Sequence, residues 1–122
     1  MKGKLAARAL AAQVQANRSG IGHQQSFAGH RARLTAEIAA RAPAGGAGRV
    51  VLLGAGNAND VDLAALAAAY AEIHLVDVDG DALERARARQ SDAVRARIHL
   101  HPAVDVSGIW ERLDAWSRHP PT

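Results

Sequence analysis

Arg49-Val-Val-Leu-Leu-Gly-Ala-Gly-Asn-Ala-Asn-Asp60 and, after a further span, Ile73-His-Leu-Val-Asp-Val-Asp79 decide the fold of this chain. Residues 50–53 are a continuous apolar run with two β-branched members, which reads as a strand covered on both faces of a parallel sheet. Gly54 closes the run and Gly56 follows, so the backbone turns sharply where no Cβ obstructs a ligand over the strand end. Residues 73–76 form a second strand. It ends on Asp77, a carboxylate about 20 residues beyond the turn, the spacing at which a strand–helix–strand unit holds a nucleoside. A carboxylate accepts hydrogen bonds from both ribose hydroxyls at once, more strongly than Asn or Ser would.

Working outward, Asn59 or Asp60 is placed to cap a helix over residues 61–71 that turns Leu63, Leu66 and Ala67 inward. Asp79 or Asp81 caps the next helix, which runs to about residue 90. It carries arginines on its outer face, with Glu84 and Arg87 spaced to pair. Residues 97–100 are a third strand, halted by Pro102. This alternation predicts an α/β, Rossmann-like parallel sheet of about three strands in order 3-2-1, with right-handed crossovers and flanking helices. Upstream, Leu5, Leu10 and Val14 recur at helical spacing over residues 4–17, and Phe27, Leu34 and Ile38 share one face of a second helix over residues 24–42. Pro43-Ala-Gly-Gly-Ala-Gly48 links that helix to the first strand. Residues 1–47 are thus a helical segment with a Gly-rich linker, and 48–122 are the sheet domain. Near its end, residues 109–116 have the pattern of a short amphipathic helix, and packing against the sheet is the default for at least one of Trp110 and Trp116.

A chain of 122 residues has room for one modest core, and with 48% hydrophobic but only 3% aromatic residues that core is built from Ala, Leu, Val and Ile. The absence of Cys excludes disulfides, thiolate metal sites and cysteine nucleophiles, and is compatible with a cytoplasmic setting. The formal charge of +3 is unevenly spread: no acid precedes Glu37, whereas Lys2, Lys4, Arg8, Arg18, Arg31 and Arg33 stand in the first third. The first 18 residues share the Arg-rich, acid-free look of a transit peptide. No stacking aromatics interleave with these cations, so a solvated amphipathic helix outweighs a nucleic-acid contact. No run of residues approaches a membrane span.

Leu52 to Asp60, Ile73 to Asp79 and Ala82-Leu-Glu-Arg-Ala86 resemble motifs I and II of class I S-adenosylmethionine-dependent methyltransferases. The resemblance covers about residues 48–105. It implies S-adenosylmethionine as cofactor, with Gly54, Ala55 and Gly56 lining the methionine and ribose portion. It further implies Asp77 on the ribose hydroxyls, Val78 beside the adenine and Asp105 at the adenine amino group. Asn57, Asn59 and Asp60 would serve the methionine amino or carboxylate groups. The chain departs from the family at Leu52, where an acid is usual, and at Ala58, where the loop's last glycine is usual.

A dinucleotide fingerprint would place its third glycine where this chain has Asn59, and Asp60 and Asp62 would repel a pyrophosphate from the helix start. An NAD-binding fragment is therefore the weaker alternative. Members of the resembled family continue through four further strands that residues 110–122 do not supply. The expectation is an incomplete methyltransferase fold, truncated or completed by another chain, with its first strand an open edge. No catalytic residue is identifiable and the methyl acceptor is unspecified. A non-catalytic module that forms homo-oligomers through that edge is the rival of a different class. His99 and His101 point the same way from a strand, but with no third ligand in view no metal site is expected. His23, Gln24, Gln25, His30 and Arg31 form a polar group that is read as ordinary helix surface, with a substrate-facing role as the alternative.

Overall fold

A computed structural model describes residues 3–21 and 27–122. His23, Gln24 and Gln25, and with them the expected start of the second helix, lie outside the described residues. The elements are α1 (Lys4–Ser19), α2 (Ala28–Ala40), β1 (Arg49–Leu53), α3 (Leu63–Ala69), β2 (Glu72–Val76), α4 (Gly80–Ala88), α5 (Asp92–Arg95), β3 (Ile98–His101) and α6 (Leu113–Arg118). A 3-10 turn at Trp110–Arg112 leads into α6. Among the described residues no helix is long and apolar enough to cross a membrane.

The sheet is parallel and its order is β1-β2-β3, the expected arrangement. Its core lies on one side only. Ile73, Leu75 and Ile98 pack with Leu63, Leu66 and Ala67 of α3 and Leu83 and Ala86 of α4, and Leu34 and Ile38 of α2 close the margin. Full burial of each large aliphatic side chain here contributes roughly 1.5–3 kcal/mol. On the opposite face the same strands present Val51 and Leu53, 54% and 68% exposed, together with Glu72, His74, His99 and His101. The expectation that β1 is covered on both faces is thus corrected. A uniformly apolar strand is also what a one-sided sheet shows when nothing among the described residues lies on its second side. The outer edge of β1 is open among the described residues, as expected.

Local chemistry sets the helix boundaries. Asp62, not Asn59 or Asp60, caps α3: its carboxylate accepts the Ala65 amide at 3.1 Å, while its own amide donates to Thr35 Oγ1 at 2.9 Å. Asp79 caps α4 through the Ala82 amide at 3.2 Å. The single turn α5 was not legible as a helix because four residues carry no periodicity, although Ser91 caps it. Arg97 Nη1 donates to the carbonyls of Ala67 and Tyr70 at the end of α3, at 2.7 and 3.2 Å, satisfying acceptors left free there.

Candidate functional site

The glycine turn after β1 and the end of β2 are joined by a buried carboxylate. Asp77 is 5% exposed; its Oδ2 accepts the Gly56 amide at 2.8 Å and its Oδ1 the Asp79 amide at 2.9 Å. Each oxygen offers two lone pairs, and among the described residues one bond to each is made. Asp79 Oδ2 in turn accepts from Asn17 Nδ2 at 3.0 Å, and Asn17 Oδ1 accepts from Gln13 Nε2 at 3.2 Å. A hydrogen-bonded chain therefore runs from the turn through both strand-end acids to α1.

Three cavities share Gly54, and two of them are bordered by the residues of the glycine turn and of the end of β2. One, of about 170 Å³, is lined by Asp77, Val78, Val104, Asp105 and Trp110, with Gln13 above. The other, of about 480 Å³, is lined by Ala55, Gly56, Asn57, Asn59 and Asp60, with Asn17 and Gly20 of the N-terminal segment across from them. Every residue expected to touch the cofactor borders one or the other. At Gly54 the backbone has φ +71° and a Cβ would meet nothing within 4 Å, so the corner is open.

Other expected residues are already engaged within the protein. Asn57 Oδ1 accepts from Arg85 Nε and Nη2 at 3.2 and 3.0 Å, its carbonyl from Arg89 Nη2 at 2.6 Å, and its Nδ2 donates to the Asn17 carbonyl. It acts as a buried bracket for the loop. Arg85 and Arg89 are accordingly turned to the loop, not spread over the outer face of α4. Burial, then the nearby charges of Arg31 and Arg85, push the Arg89 guanidinium below its ordinary pKa. Asp60 is exposed beside His30, Nε2 to Oδ1 3.6 Å, and Arg31 Nη1 donates to the Asn59 carbonyl at 3.4 Å, so the start of α2 does touch this loop.

Asp105 Oδ1 accepts from the Ser107 amide and hydroxyl at 3.0 and 2.6 Å, and Oδ2 from the Trp110 amide at 2.8 Å. Burial raises its pKa, but these bonds from Ser107, Trp110 and Gly108 outweigh it and hold the carboxyl below the usual range. Asp105 thus builds the loop that walls the smaller cavity.

Leu52 and Ala58, where the chain departs from the resembled pattern, differ in how they suit their surroundings. Leu52 is half-buried against the core cluster, a place an acid would occupy at a desolvation cost. Ala58 adopts φ +56°, the left-handed region, where a side chain costs roughly 1–2 kcal/mol and glycine does not.

Sequence reasoning missed α1 as a wall of the site. Its only signal was Gln13 and Asn17, two amides one helical turn apart in an Ala-rich helix. Asn17 stands over the turn: a Cβ at Gly56 would lie 2.9 Å from its Oδ1. One buried acceptor is left over. Asn59 donates through Nδ2 to the Gly20 carbonyl at 2.9 Å, while its Oδ1 has no hydrogen-bond partner among the described residues. No protein-family model, curated protein or solved structure matches this chain.

Proposed function

We propose that this chain binds the adenosyl cofactor of class I S-adenosylmethionine-dependent methyltransferases in the two cavities that meet at Gly54. The observation that carries the reading is the Asp77 carboxylate in the wall of the smaller cavity, at the carboxyl end of a central parallel strand, beside an open glycine corner. Ligands of open α/β sheets bind at that end. In this reading the remaining lone pairs of Asp77 take the ribose hydroxyls, and Val78, with Val104 and Trp110, flanks the adenine. The methionine end lies across Gly54 and Ala55 in the larger cavity, where the partnerless Asn59 Oδ1 suits its ammonium group. Asp62 takes the Ala65 amide at the start of α3, and its negative charge there repels a pyrophosphate, which disfavours a dinucleotide.

When bound, S-adenosylmethionine supplies a methyl group on a sulfonium; transfer breaks the sulfur–carbon bond, joins the carbon to an acceptor nucleophile and leaves S-adenosylhomocysteine. In this reading the residues here bind and orient the donor, one of the two reactants that positioning must bring together. None of them is assigned to the acceptor. Calorimetric titration with S-adenosylmethionine, S-adenosylhomocysteine and NAD tests the proposal. Saturable binding of the two adenosyl ligands is expected; binding of NAD alone, or of none of the three, overturns it.

A second reading rests on a separate observation. The outer edge of β1 is unpaired among the described residues and its exposed Val51 and Leu53 adjoin it, so a second copy of the chain pairing along β1 would extend the sheet there. A mass that rises with concentration supports this reading, and a strictly monomeric chain removes it.

A further inference from the structure

The sheet face without helices carries a cluster that the cofactor reading does not use. Glu72 and His74 alternate on β2, and the parallel register sets His99 directly beside His74 and His101 beside Val76. All four side chains therefore stand on one face. Glu72 Oε2 lies 3.0 Å from His74 Nε2, and one ligand atom each from Glu72, His74 and His99 lie within 4.8 Å of one another. A tetrahedral ion with bonds of about 2.0–2.1 Å needs its ligands roughly 3.3 Å apart, so small rotamer changes close the set. Strand register thus gives His99 two partners that its spacing from His101 did not reveal, His74 beside it and Glu72 two residues along β2.

His101 has a different part. Its Nε2 lies 2.9 Å from His74 Nδ1, the nitrogen that faces away from Glu72. A metal-bound imidazole characteristically donates its second N–H to a fixed acceptor, which sets the tautomer and the ring plane. The rings of His99 and His101 also stack on His74, with centroids 4.8 and 5.2 Å apart. His74 is thus oriented before any ion arrives.

We infer that Glu72, His74 and His99 form a binding site for one divalent late first-row transition ion, Zn²⁺ being the type case, with His101 positioning His74. Two imidazoles and one carboxylate suit such an ion better than Ca²⁺ or Mg²⁺, which prefer oxygen. Three protein ligands leave the fourth position to water, and exposed His99 gives the ion a way in. Arg49 Nε, 3.9 Å from Glu72 Oε2, competes with the ion for the carboxylate. The site does not depend on the adenosyl cavities, and neither result bears on the other.

The test is equilibrium dialysis and calorimetry with ZnCl₂ on the full chain freed of any affinity tag. One ion per chain is expected. His74→Ala and His99→Ala should each weaken binding at least about tenfold, and His101→Ala by about 10–100-fold. His101→Gln, which keeps an acceptor, should restore most of the loss, and Arg49→Gln should tighten binding. His30→Ala and His119→Ala serve as controls and should change nothing. Co²⁺ in place of Zn²⁺ should give visible d–d bands that vanish in His99→Ala, whose exposed side chain can be removed without disturbing the core. No saturable uptake, or uptake that His74→Ala and His99→Ala leave unchanged, overturns the inference.

Discussion

The Asp77 carboxylate holds the Gly56 amide at 2.8 Å, so the acid at the end of β2 also fixes the turn that follows β1. The group that reads in the sequence as a ribose acceptor is at the same time part of the protein's own framework. Removing it has two consequences that different measurements separate.

Asp77→Ala strands the buried Gly56 amide and should cost about 1–3 kcal/mol in urea unfolding. Asp77→Asn keeps an acceptor for one of the two amides that Asp77 binds, those of Gly56 and Asp79, and should lose less stability than Asp77→Ala. It should still lower affinity for S-adenosylhomocysteine at least about tenfold, because bonds to an ionised acceptor are roughly twice as strong as neutral ones. An Asn variant with unchanged affinity would show that the ribose assignment is wrong.

The start of α3 offers a sharp contrast between neighbours. Asp62→Ala should lose about 1 kcal/mol as its cap on the Ala65 amide disappears. Asp60→Ala, at the position the sequence suggests for the cap, should stay within about 0.5 kcal/mol of the parent. Paired thermal melts decide it, and equal losses would relocate the helix start.

Asp105 gives the C-terminal segment a dependence on pH. Its folded pKa is depressed, so its stabilising bonds to Ser107 and Trp110 are fully present above the unfolded value of about 3.9 and fade as pH falls through the folded one. The chain's two tryptophans both lie in that segment, so intrinsic fluorescence should report its loosening below about pH 4. Asp105→Asn should show the loosened signal already at neutral pH; a parent-like pH profile for that variant would refute the role.

The sheet, its order and the strand-end acids were legible because they depend on short-range patterns: apolar runs, glycine at the corner, carboxylate at the strand end. What stayed hidden depended on contacts between distant residues. Nothing in the spacing of Asn57 announces that Arg85 and Arg89 will converge on it, or that Asn17 will reach across to Asp79. His74 is one polar residue in an apolar strand, and only the register places His99 beside it. The bare second face was hidden for another reason: an apolar run reports that a strand is hydrophobic, not which of its sides another layer covers.

One contact described by neither cavity bears on how the protein assembles. The Leu5 amide in the first turn of α1 donates to both carboxylate oxygens of Asp114, at 3.1 Å each, where Gly3 offers no side-chain cap. The negative charge that favours the start of α1 therefore comes from the far end of the sequence, across a closure that spans nearly the whole chain. Such a distant contact carries a larger loop-closure cost than the pairing of neighbouring strands. The start of the helix that overhangs the glycine turn thus rests on a carboxylate supplied by α6.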